Sequence, residues 1–315
     1  MSQLSAFIFP GQGSQHVGML SEINDESGLI DETFAEASSV LGYDLWELTQ
    51  ETPAERLNQT EYTQPALLTA SIALWRLWQQ SAGVQPSFLA GHSLGEYSAL
   101  VAAESIDFKD AVKLVAARGR FMQEAVPVGA GAMAALLGLD DDKVVEICQI
   151  AAEKSGIVEA ANFNSPGQVV IAGEVAAVDY AIELAKAAGA RKALKLAMSV
   201  PSHCHLMKPA AEKLAVELKD IEVISPSIPV IHNVDVASYS APEKIRDALV
   251  RQLYNPVRWV ETVKKFEENQ VQYCFECGPG KVLAGLGKRI AKQVQCVPLS
   301  GVNGIVMAID EAMGS

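Results

Sequence analysis

Basic residues are scarce in this sequence. Lys and Arg number 25 against 38 Asp and Glu, a formal net charge of −13 over 315 residues. Binding to nucleic acid through phosphates needs a basic surface, so that class is excluded as the main function. Any acidic protein partner would likewise have to find a local basic patch. Long apolar runs are missing too: none approaches the roughly 20 residues that span a bilayer, so no membrane partner is expected. The first basic residue is Arg56. The N-terminal stretch therefore lacks the charged segment of a secretory signal and the Arg-rich character of a transit peptide. Cysteines are few, odd in number at five, and irregularly spaced, so no disulfide framework is expected. These absences together point to the reducing environment of the cytoplasm. Internal repeats and low-complexity segments are also lacking.

What remains is an ordinary globular composition, with 49% hydrophobic and 20% charged residues. The length suits one large domain, or a large one with a small insert. Residues 6–9 are a short apolar run ended by Pro10 and Gly11, which predicts a buried strand feeding a loop. Helical spacing follows over 64–79, a strand over 87–90, then helices over 94–103 and 108–122. Strands alternating with helices imply a mostly parallel sheet covered on both faces. The rhythm changes after Gly129. Strands over 133–137, 158–163, 168–172 and 193–196 interleave with helices over 140–153 and 175–188, with a turn at 164–167. That β-α-β-β-α-β order is the split βαβ arrangement of a ferredoxin-like unit. The expected organisation is an α/β core of residues 1–127 and 198–315, with a ferredoxin-like small domain, 128–197, inserted in it.

Gly91-His92-Ser93-Leu94-Gly95 fits G-x-S-x-G. The motif alone is weak in a chain with 23 glycines. Its setting is stronger, because a strand precedes it and a helix follows. That strand–turn–helix is what exposes a serine hydroxyl at a nucleophile elbow. Glycine on either side removes side chains that would collide in so sharp a turn. Backbone N–H groups at a helix start lack partners and face incoming negative charge, so the Leu94 N–H is a candidate oxyanion donor. The plainer alternative is a serine that caps an ordinary helix.

A serine nucleophile requires a base, most often histidine. The chain has His16, His92, His203, His205 and His232. His92 adjoins Ser93, and a strained elbow points neighbours apart. His203 and His205 lie in a loop-like stretch after the insert, where catalytic residues are favoured, and spacing leaves the two equivalent. Pro10-Gly11-Gln12-Gly13-Ser14-Gln15 would face the crevice at the C-terminal ends of parallel strands. The Gln12 N–H there is a candidate second oxyanion donor, against a simple tight turn. The Gly-Lys-Ser/Thr ending of a phosphate loop is absent. Arg118 falls late in an otherwise apolar helix. A buried charge needs a partner, and a planar guanidinium takes a carboxylate in two bonds. A structural ion pair or a snorkelling side chain would serve as well.

Several of these segments, in their order along the chain, carry a resemblance. Pro10–Gln15, Thr63-Gln64-Pro65-Ala66, the Gly-His-Ser-Leu-Gly elbow and Arg118-Gly119-Arg120-Phe121-Met122-Gln123 resemble the acyltransferase family of fatty-acid and polyketide synthesis. Asn162-Phe163-Asn164-Ser165-Pro166-Gly167, Pro201-Ser202-His203 and Gly278-Pro279-Gly280 continue the match over nearly the whole chain. The resemblance implies an α/β-hydrolase-like core with a ferredoxin-like insert. It implies Ser93 as nucleophile and His203 as base, with the oxyanion on the Gln12 and Leu94 amides. It implies Arg118 on the free carboxylate of malonate, and Gln252 orienting His203 through its backbone carbonyl. Gln64 and Asn162, inside the matching motifs, are further candidate substrate-binding residues. The implied reaction moves malonyl from malonyl-CoA to acyl carrier protein. Coenzyme A would be a substrate, with no permanently bound cofactor and no metal.

Two other functions fit the elbow. A serine thioesterase or esterase would pair it with a strong triad acid, and no Asp or Glu stands out for that place. A non-catalytic carrier-binding subunit would never be acylated on Ser93. Cys274 and Cys277 lie three apart in a strand-like run and face opposite sides, unlike a redox pair. His203, Cys204 and His205 lack the second cluster a zinc site requires. Lys288 and Arg289, or Arg191, Lys192 and Lys195, offer either carrier contacts or merely solvated faces.

Overall fold

The computed structural model describes residues 4–313 except 24, 52, 83–84, 198–199 and 302–303. In chain order its strands are β1 (Ser5–Phe9), β2 (Phe88–Gly91), β3 (Gly131–Leu137), β4 (Val158–Ser165), β5 (Gln168–Glu174), β6 (Lys192–Lys195), β7 (Val230–Ile231), β8 (Tyr273–Glu276) and β9 (Gln295–Pro298).

Strand β1 is buried along its whole length. Ala6 and Ile8 enter one apolar cluster with Trp259 and Phe266, while Phe7 and Phe9 enter a larger one with Trp75 and Trp78. A strand that fills two cores must be apolar on both faces, which is why it reads as an unbroken run. It sits at the centre of a parallel sheet of order β7-β2-β1-β8-β9. Helices Thr60–Ala82, Gly95–Ala102 and Phe108–Ala125 pack on one face, and Trp259–Glu268 and Val282–Ile290 on the other. No described helix is long and apolar enough to cross a membrane.

The second sheet is antiparallel, of order β4-β5-β3-β6. Helices Asp141–Ser155 and Val175–Ala187 interleave with its strands in the expected β-α-β-β-α-β sequence. They close an apolar cluster that includes Val144, Ile147, Val169, Ile171, Val178 and Ile182. The other face sets Met133, Val170 and Ala172 against Cys204, next to His203. Main-chain bonds tie β4 to the core: Val257 N–H donates to Ala161 O at 2.9 Å and Phe163 N–H to Val257 O at 3.0 Å. The expected boundary after residue 197 falls at 198–199, outside the described residues.

Two differences from the expected elements matter for the site. The turn expected over 164–167 is shorter, because β4 runs through Ser165. Its register slips twice, between Ala160 and Asn162 and between Phe163 and Ser165. Such bulges re-aim side chains, and Asn162 and Asn164 both face the cavity described below. The helix expected over 64–79 is longer, Thr60–Ala82, and contains Pro65. Its first turn is crossed closely by the helix carrying Arg118: a Cβ on Gly119 would lie 2.6 Å from Thr60 O. Only glycine permits that approach, and it brings Arg118 beside Gln64.

Candidate active site

A cavity of about 370 Å³ opens between the two sheets, lined by Gln12, Gln64, Ser93, Leu94, Arg118, Asn162 and His203 among others. Ser93 stands between the end of β2 and the start of helix Gly95–Ala102, at φ 52°. A non-glycine residue persists there only when its surroundings enforce it. Asn233 supplies the enforcement. Its Nδ2 donates to Gly91 O at 2.6 Å, and its Oδ1 accepts the Ser93 N–H at 2.8 Å. A Cβ on Gly91 would lie 1.8 Å from Gly95 C, and one on Gly95 would lie 2.0 Å from Phe9 O. Both flanking glycines are therefore required by contact.

The structure separates the two candidate bases. His203 Nε2 lies 2.7 Å from Ser93 Oγ, and its Nδ1 lies 2.8 Å from Gln252 O. A carbonyl can only accept, so Nδ1 carries the proton and Nε2 faces the hydroxyl as acceptor. The carbonyl stands where a carboxylate would in a familiar triad. Burial, and next the nearby Arg118 cation, hold the imidazole well down, to about 3. His205 instead binds the Glu159 carboxylate at 2.6 Å and is half exposed. His92 lines the cavity with Nε2 2.8 Å from Asn164 Oδ1, a bond that joins the elbow to the second sheet.

Arg118 is almost fully buried, and no described carboxylate forms an ion pair with it. Its Nη1 donates to Gln64 Oε1 at 2.8 Å and its Nη2 to Gln252 Oε1 at 2.9 Å. Nη2 also reaches Ser93 Oγ at 3.3 Å, and the Nε–H has no partner. Burial draws its pKa below the ordinary arginine value. Amide dipoles orient the cation without neutralising it. The guanidinium therefore remains a receptor for an anion placed next to the serine hydroxyl.

The Gln12 and Leu94 amides both border the cavity, and neither N–H has an acceptor among the described residues. Gln64 and Asn162 are buried at its wall. Cys274 and Cys277 are buried in separate apolar clusters on opposite sides of the parallel sheet.

Sequence reasoning missed the layer beneath the serine. It gave Gln252 a role through its backbone alone, but the side chain bridges Arg118, Ser93 O and Glu96. It passed over Asn233 and Glu96, and it named His232 and Asn164 without giving either a role. Glu96 directly follows the elbow motif, and an acid in a first helical turn suits the helix dipole. That commonplace explanation hid its inward direction.

The fold and the elbow define an α/β protein with a serine poised on a strand-to-helix turn beside a histidine. Residues 6–304 match the model of the acyl transferase domain, and the chain belongs to that family. It is 58% identical to the malonyl CoA-acyl carrier protein transacylase of Escherichia coli (strain K12), over 97% of this chain and 98% of that one. The structure of the malonyl CoA-acyl carrier protein transacylase from Coxiella burnetii matches with a TM-score of 0.97 at 52% identity, covering 99% of this chain and 98% of that one. A malonyl-transacylase solved in complex with a type II PKS acyl-carrier protein matches with a TM-score of 0.96 at 55% identity, over 98% of this chain and 99% of that one.

Proposed function

We propose that the chain transfers a malonyl group from malonyl-CoA to the phosphopantetheine thiol of an acyl carrier protein, through an ester on Ser93. The observation that carries this reading is the position of Ser93 Oγ, 2.7 Å from His203 Nε2 and 3.3 Å from Arg118 Nη2. A base and a buried cation with no direct ion pair among the described residues meet at one hydroxyl. The names and near-complete overlap of the relatives support the same activity.

His203 starts neutral, as a general base must. It takes the Ser93 proton while Oγ attacks the thioester carbonyl. The Gln12 and Leu94 amides receive the oxyanion. The C–S bond then breaks and coenzyme A leaves, taking the proton from His203. In the second half the carrier thiol gives its proton to His203 and attacks the ester carbonyl. Ser93 departs as a hydroxyl when the proton returns. Arg118 pairs with the malonyl carboxylate, which selects acyl groups bearing one and fixes the carbonyl over Oγ. Gln64 and Gln252 aim the guanidinium, and Asn162 completes the opposite wall. Coenzyme A enters and leaves as part of the substrate, and no step calls for a bound cofactor.

We assign residues 128–197 as an inserted unit that covers a core of 1–127 and 198–315. The two separate sheets support that division. Five free cysteines support a cytoplasmic setting.

The test is intact-mass measurement after incubation with malonyl-CoA in the absence of carrier. The expected result is a gain of one malonyl group, lost in Ser93→Ala and formed far more slowly from acetyl-CoA. Free malonate without an adduct would replace this reading with a hydrolase.

A further inference from the structure

Beneath the serine lies a carboxylate that the reaction as written does not use. Glu96 is fully buried on the first turn of helix Gly95–Ala102. Its Oε2 accepts Gln252 Nε2 at 2.8 Å and Asn233 N–H at 3.0 Å. Its Oε1 lies 2.7 Å from Nδ1 of His232, itself fully buried and stacked on Tyr239. Helix capping does not explain this arrangement, because the carboxylate points at groups from two distant segments.

The chemistry of Gln252 gives it a purpose. A primary amide has one donating end and one accepting end, and nothing intrinsic decides which faces where. Glu96 Oε2 already accepts the Asn233 N–H, and an acceptor oxygen there takes a donor from Gln252, so the amide end turned towards Glu96 is Nε2. That end also donates to Ser93 O at 2.9 Å. The oxygen is thereby forced towards Arg118 Nη2, at 2.9 Å. In the opposite orientation an NH₂ group would confront a guanidinium, donor against donor.

We infer that Glu96 is the positioning residue of the carboxylate-binding site, setting the orientation of the Gln252 amide and through it the aim of Arg118 beside Ser93. The inference rests on the malonyl-transfer reading above. Glu96 touches no substrate and acts through Gln252.

The test measures single-turnover acylation of Ser93 by malonyl-CoA and by acetyl-CoA, reading the ratio of the two rates. Glu96→Ala, checked for a cooperative melt, is expected to lower the ratio about tenfold, as expected when a charge-assisted hydrogen bond is misdirected. Glu96→Gln is expected to recover most of that loss. The Asn233 N–H holds an acceptor at the Oε2 position, so the new amide presents its oxygen to Gln252. Gln252→Met should lower the ratio similarly, and the double variant Glu96→Ala/Gln252→Met should lose no more than Gln252→Met alone. If Glu96→Ala does not melt cooperatively, Glu96→Asp, whose shorter arm withdraws from Gln252, replaces it in the cycle. An unchanged ratio in the folded variant, or additive losses in the double variant, would overturn the assignment. Failure of the unsubstituted protein to acylate Ser93 would instead sink the malonyl-transfer reading itself.

Discussion

The two sheets contribute unequally to the cavity between them. A loop, a helix start and a helix interior on the parallel sheet bring Gln12, Ser93, Leu94 and Arg118 together, with His203 and Gln252 from later core segments. Strain and buried hydrogen bonds concentrate here: Ser93 and His203 both adopt positive φ, and Glu96, Asn233 and Gln252 are buried polar groups tied to one another. The antiparallel sheet adds Met133, Asn162, Asn164, Gln168 and Val170, a wall held by the His92–Asn164 bond and the pairing of β4 with Val257. The difference teaches that reactivity is built where the backbone is most constrained, while the neighbouring sheet gives the space its shape.

That contrast can be broken by experiment. Ser93→Ala should abolish the malonyl adduct, with transfer falling roughly a thousandfold or more, measured as malonyl-carrier formed per minute. His203→Ala should approach the same loss. The unsubstituted protein tests the setting of this base through pH. Because its folded-state pKa is lowered to about 3 by burial first and Arg118 next, His203 stays neutral well below the ordinary 6.5. Ser93 acylation should therefore stay flat from about pH 8 down to about pH 5. An acidic limb centred near 6.5 would mean a solvated imidazole and would contradict the closed setting described for the core side.

Arg118→Ala should reduce the preference for malonyl over acetyl about ten- to a hundredfold, the size of a lost charge-assisted contact. Retention of full preference would remove Arg118 from the carboxylate site. Asn233→Ala should loosen the elbow. We expect acylation to slow about tenfold and the melting midpoint to fall by several degrees, from an unsatisfied buried N–H and carbonyl. Smallest is Asn162→Ala on the opposite wall. It should raise KM for malonyl-CoA a few-fold with kcat held, since it alters fit rather than bond making. A loss in kcat as large as that of Asn233→Ala would erase the distinction between the sheets.

Much of this architecture was legible before any coordinates. Strand β1 announced itself because both its faces are buried, and the elbow because a G-x-S-x-G sat between a strand and a helix. The order of strands and helices in the second sheet followed from periodicity and one Pro-Gly turn. Strand β9 did not, being four residues long, half exposed and ended by Pro298. Helix Leu29–Leu41 begins at Gly28 without a side-chain cap, so its start carried no signal. In the site, motif resemblance singled out His203, while local spacing had left it level with His205. What separates them is contact with Gln252 and Ser93, 49 and 110 positions away. The Asn233 clamp spans 140 positions. Such pairings exist only after the chain has folded, and a single sequence holds no local trace of them.

The buried cation at the centre has a thermodynamic consequence. Arg118 is folded into the interior on two amide oxygens, and the buried Glu96 carboxylate reaches it only through the Gln252 amide. A ligand that binds only the folded chain shifts the unfolding equilibrium in proportion to its occupancy. A malonyl group would therefore be more than cargo. While it rides on Ser93, its carboxylate would pair with the guanidinium directly, and the loaded protein should outlast the unloaded one on heating. Delivery to the carrier then returns the fold to its less stable form, so each turnover alternates between a guanidinium paired directly with a carboxylate and one held by amides.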